Sequence, residues 1–569
     1  MHDLVIRNGT VVDGSGDDAR MADVAIDGER ISTIGTELAP GRREIDATGL
    51  LVTPGWVDIH THYDGQATWD PHLTPSGWNG VTTVVMGNCG VGFAPVAPGK
   101  QEYLIQLMEG VEDIPGSALA EGIAWSWETF PEYLNALEKM PRSVDIGAQI
   151  PHGAVRAYVM GERGSSNQPA TTDDIAKMSV LVKEGLQAGA LGFSSSRTLV
   201  HRAKDGQPVP GTFAPEDELF GIGSALGDVG HGVFEVASDL AEEDGELAWM
   251  RELSRRSGRP VTFACLENDY KPDQWRRLLA ACEEDALAGG RVTPQVAQRP
   301  AGILMGLQST IHPFVAHPAY IAISGLPLAE RVSQMRRVEV RDRILSEKPV
   351  DLSRAMLRLF QTPDRLFVLG DPPDYEPGPE KSVKILAEQE CRQPDEVIYD
   401  LLLEDEGRNF LYRPNFGYAQ GDFEALREMM MHPLAVFGLS DGGAHCGLIT
   451  DASVPTFLLT HWVRDRSRGA RIPLERIVHS QTRRTAQLFD LHDRGLIAQG
   501  MLADINLIDF DGLYLHPPQM VYDLPGESRR LIQEVEGYRF TIKRGTITFE
   551  DGKPTGAMPA KLIRGPQQP

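Results

Sequence analysis

Hydrophobic and polar positions alternate in one way at the two ends of the chain and in another way in the middle. Near the N-terminus, short apolar runs are separated by the pairs Asn8-Gly9 and Asp27-Gly28. Such pairs between apolar runs are strong β-hairpin signals. The C-terminus has similar strand-like runs at 503–509 and 539–549. Neither end is large enough to bury a core alone, so the pattern predicts that both ends share one sheet.

In the middle of the chain, apolar strand-like runs recur between longer segments of helical periodicity. Eight runs qualify: the run that precedes His60, and the runs at 81–86, 144–149, 190–193, 232–236, 261–265, 291–295 and 434–439. This count and this alternation predict an α/β fold, a (β/α)₈ TIM-like barrel. In such a barrel the chemistry takes place at the C-terminal ends of the strands.

The two patterns divide the 569-residue chain, which exceeds what one compact core usually accommodates. Residues 1–54 and 495–569 are predicted to form one composite β domain, and residues 55–494 the barrel. The last two predicted barrel strands are separated by a long segment. A connection of that length is typical of an inserted element. We therefore expect a lid insertion around residues 325–425.

Composition and charge exclude several classes of protein. The chain is 41% hydrophobic and 24% charged, and it has neither an apolar run of about 18 residues nor a secretory signal, so we expect no membrane partner and a cytoplasmic location. The net charge of −25 argues against nucleic acid as a partner. The five cysteines are odd in number and scattered, which does not support a disulfide framework.

His60 and His62 are the first candidate metal ligands. They end the run Pro54-Gly-Trp-Val-Asp-Ile-His-Thr-His62, and residues two apart on a strand point to the same face. The preceding segment is apolar until Asp58, as in a strand that is buried on both faces. The pair could consist of two core histidines satisfied by hydrogen bonds, but a polar pair that ends a buried strand favours half of a metal site.

Two further side chains are predicted to lie at the same end of the barrel. Asp441 follows the last predicted strand and is a candidate metal ligand and catalytic base, although Asp441-Gly-Gly443 could also form a plain Asx turn. Two imidazoles and one carboxylate are the minimum for hydrolysis by metal-activated water. Cys89 follows the second predicted strand, where it is either a soft ligand suited to zinc or a small buried hydrophobic residue.

Two more residues are candidates for substrate binding. His152 follows the third predicted strand, where it could contact the substrate or cap a loop. Arg197 follows the fourth predicted strand and could hold a carboxylate or carbonyl group, with a surface arginine as the alternative.

These motifs together resemble the amidohydrolase superfamily, and within it the N-acyl-D-amino-acid deacylase (D-aminoacylase) group. The resemblance extends over essentially the whole length, from the opening Val5-Ile-Arg-Asn-Gly-Thr through Pro54–Asp64 and Gly87-Asn-Cys-Gly to Ser440-Asp-Gly and 495–504. It implies that the two chain ends form a small β-sandwich beside a metal-bearing barrel.

The resemblance also implies roles for individual residues. The strand-one histidines of the family fall on His60 and His62, its metal-bridging cysteine on Cys89, and its strand-eight acid, both ligand and general base, on Asp441. Attack of a metal-held hydroxide on an amide carbonyl is the mechanism that this implies.

The chain departs from the family pattern at the ends of strands five and six, where the family places metal-binding histidines. No histidine occurs in the corresponding regions at 233–239, 263–269 and 293–299, and Ser194 occupies the position of the carboxylated lysine of other branches. A single zinc ion on His60, His62 and Asp441, with Cys89 or water, is therefore favoured over two ions. The alternatives are a site completed by Glu235 or Glu267 and a catalytically weakened relative.

The sequence thus predicts a metal-dependent amide hydrolase that acts on carbon–nitrogen bonds other than peptide bonds. The expected substrate is a small N-acyl amino acid, of D or L configuration, or a similar N-acyl amine. A cyclic amide or imide hydrolase and a non-catalytic binding relative are the alternative functions. A homo-oligomer is compatible with the sequence.

Overall fold

A computed structural model describes residues 1–350 and 359–569 of the chain. Its strands, in chain order, are β1 (His2–Val11), β2 (Arg20–Asp27), β3 (Arg30–Gly35), β4 (Gly41–Asp46), β5 (Leu51–Pro54), β6 (Trp56–Asp58), β7 (Val81–Met86), β8 (Asp145–Pro151), β9 (Gly192–Arg197), β10 (Val233–Ser238), β11 (Val261–Cys265), β12 (Val292–Val296), β13 (Gly302–Met305), β14 (Phe367–Val368), β15 (Leu411–Pro414), β16 (Val436–Phe437), β17 (Ile505–Ile508), β18 (Tyr514–Leu515), β19 (Gln519–Leu524), β20 (Ser528–Ile532), β21 (Val535–Glu536), β22 (Tyr538–Lys543), β23 (Thr546–Glu550) and β24 (Lys553–Pro554).

The α-helices follow many of these strands. They are α1 (Gln101–Glu112), α2 (Gly116–Gly122), α3 (Phe130–Glu138), α4 (His152–Met160), α5 (Glu162–Ser165), α6 (Thr172–Gln187), α7 (Glu216–Val229), α8 (Glu243–Ser257), α9 (Gln274–Leu287), α10 (Pro318–Ile321), α11 (Leu328–Met335), α12 (Val338–Ser346), α13 (Val383–Glu390), α14 (Pro394–Leu403), α15 (Glu424–Met431), α16 (Val454–Phe457), α17 (Leu474–His479) and α18 (Thr485–Leu488). Among the described residues, no helix combines the length and the apolar character needed to cross a bilayer.

Parallel strands in the middle of the chain form a barrel. Within the described ranges, eight strands pair in the order β16-β12-β11-β10-β9-β8-β7-β6. Thr61, just after β6, forms a parallel bridge with Gly442, just after β16, and this bridge joins the two edges of the sheet. Each of the eight predicted runs overlaps one of these strands. The predicted (β/α)₈ barrel is therefore confirmed.

The buried strands and amphipathic helices explain why this layer closes. Every residue of β7 and β8 is buried, as expected for parallel strands covered by helices. Helix α6 begins with a capping box formed by Thr171 and Asp174 and buries Met178, Val182 and Leu186 on one face. Because the barrel strands are parallel, their C-terminal ends, and the residues that follow them, lie at one rim.

Strands from both chain ends lie in one sheet, in the order β24-β23-β22-β17-β5-β1-β2-β3, with β4 paired to β1. The two ends meet where β5 pairs antiparallel with β17. Buried aliphatic residues from both ends, including Ile6, Val52 and Ile505, form one cluster in this sheet. Its division from the barrel after residue 54 and before residue 495 stays a prediction.

One of the two predicted hairpins at the N-terminus is wrong. Asp27-Gly28 does connect β2 to β3, but Asn8-Gly9 lies inside β1, where the register with β2 shifts between Ile6 and Gly9. Asn8 has a left-handed φ of 58°, and a Cβ on Gly9 would lie 2.3 Å from Val52 Cγ2. These residues therefore form a β-bulge that packs closely on β5.

The long connection between β12 and β16 is itself folded. Its described part contains helices α10 to α15 and an antiparallel sheet in the order β13-β15-β14. Buried residues such as Phe314, Met335 and Tyr399 form a separate apolar cluster there. Residues 351–358 of the predicted lid lie outside the described residues, and its role as a lid stays a prediction.

Candidate metal centre

Three potential metal ligands meet at the C-terminal rim of the barrel. One ligand atom from each of His60, His62 and Cys89 lies within 4.8 Å of the others, and all three residues are buried. The Sγ atom of Cys89 lies 3.4 Å from Nε2 of His60. The two histidines follow β6 and the cysteine follows its parallel neighbour β7, so strand pairing brings them together.

Asp441 faces the same two imidazoles from the other side of the barrel closure. Its Oδ1 atom lies 3.5 Å from Nε2 of His60 and 3.8 Å from Nε2 of His62. Two backbone hydrogen bonds fix this approach, because Asp441 N donates to the carbonyl of His60 and His62 N donates to the carbonyl of Gly442. The structure therefore joins the predicted strand-one and strand-eight residues in one cluster.

A glutamine orients the ring of His60. Nδ1 of His60 lies 3.0 Å from Oε1 of Gln295, a buried residue of β12. The amide oxygen accepts only, so Nδ1 carries the proton and the Nε2 lone pair faces Cys89 and Asp441. Burial lowers the pKa of His60 to about 4 despite the opposing charge of Asp441, so the ring is held in the neutral, metal-binding form.

His62 is buried without a hydrogen-bond partner on either ring nitrogen. Its Nδ1 lies 3.4 Å from Oε1 of Glu112, and its Nε2 faces Asp441. Burial disfavours a proton on this ring, but the charges of Glu112 and Asp441 outweigh it and raise the pKa of His62 to about 9. Buried polar atoms without partners are rare. A divalent cation would provide a partner for a ring nitrogen of His62. Imidazole, thiolate and carboxylate are the groups that zinc binds.

The acidic members of the cluster respond to their surroundings in opposite directions. Loss of solvent opposes the charge of Asp441, but the nearby rings of His62 and His60 outweigh it and hold its pKa below the usual range. Burial and the neighbouring carboxylate of Glu235 raise the pKa of Cys89 well above its usual value. Asp441 is thus ionised at neutral pH, whereas the thiol needs a nearby cation to lose its proton.

Sequence reasoning missed two residues of this cluster. Nε2 of His445 lies 3.7 Å from Oδ2 of Asp441 and 3.7 Å from Oε2 of Glu112. The backbone N–H of His445 donates to the carbonyl of Glu112, which ends α1. Proximity to Asp441 in the same glycine-rich turn could have identified His445. No sequence signal marks the end of α1 as part of the site.

His152, a predicted substrate-binding residue, has protein partners on both ring nitrogens. Its Nδ1 lies 2.9 Å from Ser195 Oγ, and its Nε2 lies 3.0 Å from Glu218 Oε1. Glu218 also forms an ion pair with Arg156, and all of these side chains are buried. Both ring nitrogens therefore bind protein atoms, and the role of His152 in substrate binding stays a prediction.

Arg197 forms an ion pair within the barrel wall. Its guanidinium binds both carboxylate oxygens of Glu246 on α8, with the shortest distance 2.7 Å, and donates to the carbonyl of Ala214 at 2.6 Å. It also lies over the ring of Trp249. These contacts explain the residue without a ligand, and its role in substrate binding stays a prediction.

The two glutamates considered as substitute ligands differ in their positions. Glu267 faces the folded connection between β12 and β16, which we call the inserted unit. There its Oε2 accepts a hydrogen bond from Ala419 N at 2.9 Å. Glu235 lies on β10 and accepts a hydrogen bond from Cys89 N at 2.9 Å. The hydrogen bond of Glu235 thus joins it to the cluster of His60, His62 and Cys89, whereas that of Glu267 does not.

The amidohydrolase family model matches residues 43–549 of this chain. D-aminoacylase of Alcaligenes xylosoxydans xylosoxydans is 36% identical over 194 residues, which cover 34% of this chain and 37% of that protein. N-acyl-D-aspartate deacylase of the same organism is 27% identical over 512 residues, 89% of this chain and 86% of that protein. The crystal structure of N-acyl-D-glutamate deacylase from Bordetella bronchiseptica, complexed with zinc and a phosphonate mimic of the tetrahedral intermediate, has a TM-score of 0.64 and 20% identity, covering 99% of each chain.

Proposed function

The chain belongs to the amidohydrolase family, and from that premise we propose that it is a metal-dependent hydrolase that removes the acyl group from an N-acyl-D-amino acid. The scissile bond is thus a carbon–nitrogen bond outside a peptide. Two relatives named for D-aminoacylase and N-acyl-D-aspartate deacylase activity support this substrate class. The partner of the site is a small molecule, and the net charge of −25 disfavours nucleic acid.

One observation carries the proposal. His62 is 1% exposed, yet neither of its ring nitrogens has a hydrogen-bond partner, and its Nε2 faces Asp441. A cluster that served only the fold would satisfy such an imidazole. The unpartnered ring and the ligand-type atoms of His60 and Cys89 beside it together support a metal site.

We assign the metal ligands to His60, His62, Asp441 and Cys89, with a single zinc ion favoured. The departures at Ser194 and at strands five and six support one ion, and the zinc in the Bordetella enzyme supports the identity of the metal. A bound zinc ion would lower the pKa of water and polarise the amide carbonyl.

The protein's own groups move the proton. Water attacks the acyl carbon, and Asp441 accepts its proton because the low pKa of this carboxylate keeps it ionised at neutral pH. Asp441 then transfers the proton to the amide nitrogen as the carbon–nitrogen bond breaks. The products are a carboxylic acid and a free amino acid. His445, 3.7 Å from Asp441 Oδ2, lies beside this proton path.

The test combines metal content with hydrolysis. We would purify the wild type, His60→Ala and Asp441→Asn without chelator and measure zinc per chain by inductively coupled plasma mass spectrometry. His516→Ala is the matched control, because this histidine lies on the surface and contacts Glu536. We expect about one zinc per chain in the wild type and the control, and less in the two site variants.

The same preparations would be assayed on N-acetyl amino acids of both configurations and on cyclic imides. Release of the D-amino acid by the wild type and control, but not by the site variants, is the expected result. Two zinc ions per chain would contradict the mononuclear assignment, and ring opening without deacylation would contradict the substrate class. Absence of zinc together with full activity would refute the metal-dependent mechanism.

The division into domains is also part of the proposal. Residues 1–54 and 495–569 would form the β-sandwich domain. The apolar cluster of the inserted unit, and the contact of Glu267 with Ala419, support a lid over the barrel rim around residues 325–425.

A further inference from the structure

Two buried side chains on neighbouring barrel strands bind the backbone of the loop that carries Cys89. Glu235 on β10 accepts a hydrogen bond from Cys89 N through Oε2 at 2.9 Å. Ser194 on β9 accepts from Gly90 N at 3.0 Å and donates to the carbonyl of Gly87 at 2.5 Å. Both side chains are almost completely buried. The loop around the thiol is therefore held by three hydrogen bonds that are shielded from water.

The loop needs such support because of its backbone conformation. Cys89 has a φ of 56°, in the left-handed region that side chains other than glycine rarely adopt. Gly87 and Gly90 have φ values of 80° and 72°, and a Cβ on Gly90 would lie 2.7 Å from Ser196 N. The chain is thus strained at the cysteine and packed tightly against β9. A strained residue persists where its surroundings fix it.

We propose that Ser194 and Glu235 are positioning residues that fix the Cys89 thiol beside His60. The bonds to Gly87, Cys89 and Gly90 determine where the Sγ atom lies, 3.4 Å from Nε2 of His60. The role of Cys89 as a metal ligand rests on the proposed function, whereas the positioning of its loop by Ser194 and Glu235 does not. The two strands that carry these residues thus serve the site through the loop backbone.

A competing role for Glu235 is direct binding of a second ion. Its Oε1 atom is buried and has no hydrogen-bond partner. Two observations favour the positioning role: Oε2 already accepts the Cys89 N–H, and the close ligand group drawn from the described residues contains His60, His62 and Cys89 without Glu235. The two roles respond differently to Glu235→Gln, because glutamine keeps a hydrogen-bond acceptor but loses the charge.

The first experiment measures the alkylation rate of Cys89 by iodoacetamide in metal-free protein, read by peptide mass spectrometry. Ser194→Ala and Glu235→Ala should each raise the rate about tenfold, because each removes at least one buried hydrogen bond from the loop. Glu235→Gln keeps the hydrogen bond and removes only the charge that raises the pKa of Cys89, so its rate should rise less than that of Glu235→Ala. Ser195→Ala is the matched control, since Ser195 lies on the same strand and bonds to His152 instead.

Cys265 serves as an internal reference in every variant, because it is fully buried on β11 and is not a partner in the three hydrogen bonds that hold the loop. A rise at Cys89 with no rise at Cys265 supports the proposal. An unchanged Cys89 rate in both alanine variants overturns it. Should one alanine variant unfold, seen as a rise at Cys265, the other alanine variant and Glu235→Gln still decide the outcome.

The second experiment titrates metal-free protein with Co²⁺ and measures the thiolate-to-cobalt charge-transfer absorption. We expect this band to fall severalfold in Ser194→Ala and Glu235→Ala and to persist in Glu235→Gln and Ser195→Ala. Loss of one of two bound ions in Glu235→Gln would overturn the positioning role. If the wild type binds no Co²⁺, the proposed function fails, while the alkylation rates still decide this inference.

Discussion

Two buried polar clusters lie at opposite ends of the barrel strands, and they differ in how completely their atoms are paired. At the start of β8, the carboxylate of Asp145 binds Arg494 at 2.8 Å, Lys543 at 2.9 Å and Arg544 at 2.9 Å. Lys543 also binds Asp504 at 2.6 Å. At the other end, His62, Glu112 and Glu235 each retain a buried polar atom without a partner.

Complete pairing distinguishes a polar cluster that serves the fold from one that can bind a ligand. Burial would raise the pKa of Asp145, but the three cations outweigh it and lower the pKa well below its usual range. We call this fully paired group of Asp145, Arg494, Lys543, Arg544 and Asp504 the closed cluster. Its cations come from the C-terminal part of the chain, so it attaches the terminal sheet to the barrel. We call the group around His60, His62, Cys89 and Asp441, with Glu112 and Glu235, the open cluster. Some of its ligand-type atoms have no protein partner, and a bound cation requires such atoms.

The largest expected effect concerns the open cluster. Asp441→Asn removes a ligand and the proton acceptor, so the rate of deacylation should fall about 10⁴-fold, because a general base alone contributes about 10²–10⁴-fold. The midpoint of urea unfolding of the metal-free protein should fall less than in Asp145→Asn, because Asp441 faces imidazoles at 3.5 and 3.8 Å whereas Asp145 binds three cations. A variant that keeps most of its activity would contradict the assigned role, and a large loss of stability would place Asp441 with the closed cluster.

Asp145→Asn tests the closed cluster. It leaves buried cations without their shared carboxylate, and breaking a buried ion pair costs about 3–5 kcal/mol. We expect urea unfolding at a lower denaturant concentration, with the activity per folded molecule and the zinc content unchanged. Asp551→Asn is the control, since Asp551 pairs with Arg539 on the surface and should have little effect. Loss of zinc from folded Asp145→Asn would break the distinction between the two ends.

Glu112→Gln tests whether the open cluster extends beyond its ligands. Glu112 faces Nδ1 of His62, and substitution of such an outer carboxylate usually weakens metal binding about 10–100-fold. Zinc affinity measured by chelator competition should fall in that range. Glu109→Gln, one turn earlier on α1 and paired with Lys204 at the surface, is the matched control. Equal affinities in the two variants would confine the cluster to the ligands themselves.

The last prediction lies outside both clusters and concerns His312, whose buried Nε2 atom also has no partner and which lies between β13 and α10. Burial lowers the pKa of His312 from 6.5 to about 3. The unfolded chain therefore binds more protons than the folded one between these values, and stability falls as the pH is lowered from 6.5 toward 3. The slope is about 1.4 kcal/mol per pH unit.

His312→Asn should flatten this dependence in urea unfolding followed from pH 7 to pH 4, because asparagine does not titrate and can still accept the hydrogen bond from Phe314 N. An equal slope in both proteins would show that His312 does not titrate on unfolding. Zinc content should not change, since this histidine stands apart from the close ligand group of the described residues.

Much of the barrel and part of the site could be predicted from the sequence. The eight strands overlap the predicted runs because a strand buried on both faces must be apolar along its length. His60, His62, Cys89 and Asp441 all follow such strands, and the fold brings strand ends to one rim. The Asn8-Gly9 hairpin was wrong because a bulge uses the same residues as a turn. The contact of His152 with Glu218 could not be predicted, because Glu218 lies on α7 and is distant in sequence.

The sequence by itself determined the barrel, the sharing of one sheet by the two chain ends and the identity of the ligand-type residues, because periodicity and strand-end polarity are local properties. Only the tertiary structure decided which residues support those ligands. Glu112, Gln295, Ser194 and Glu235 reach the cluster from other elements, and hydrogen bonds depend on distances that close when the whole barrel packs. The same packing decided that His62 is left without a protein partner and Asp145 is not.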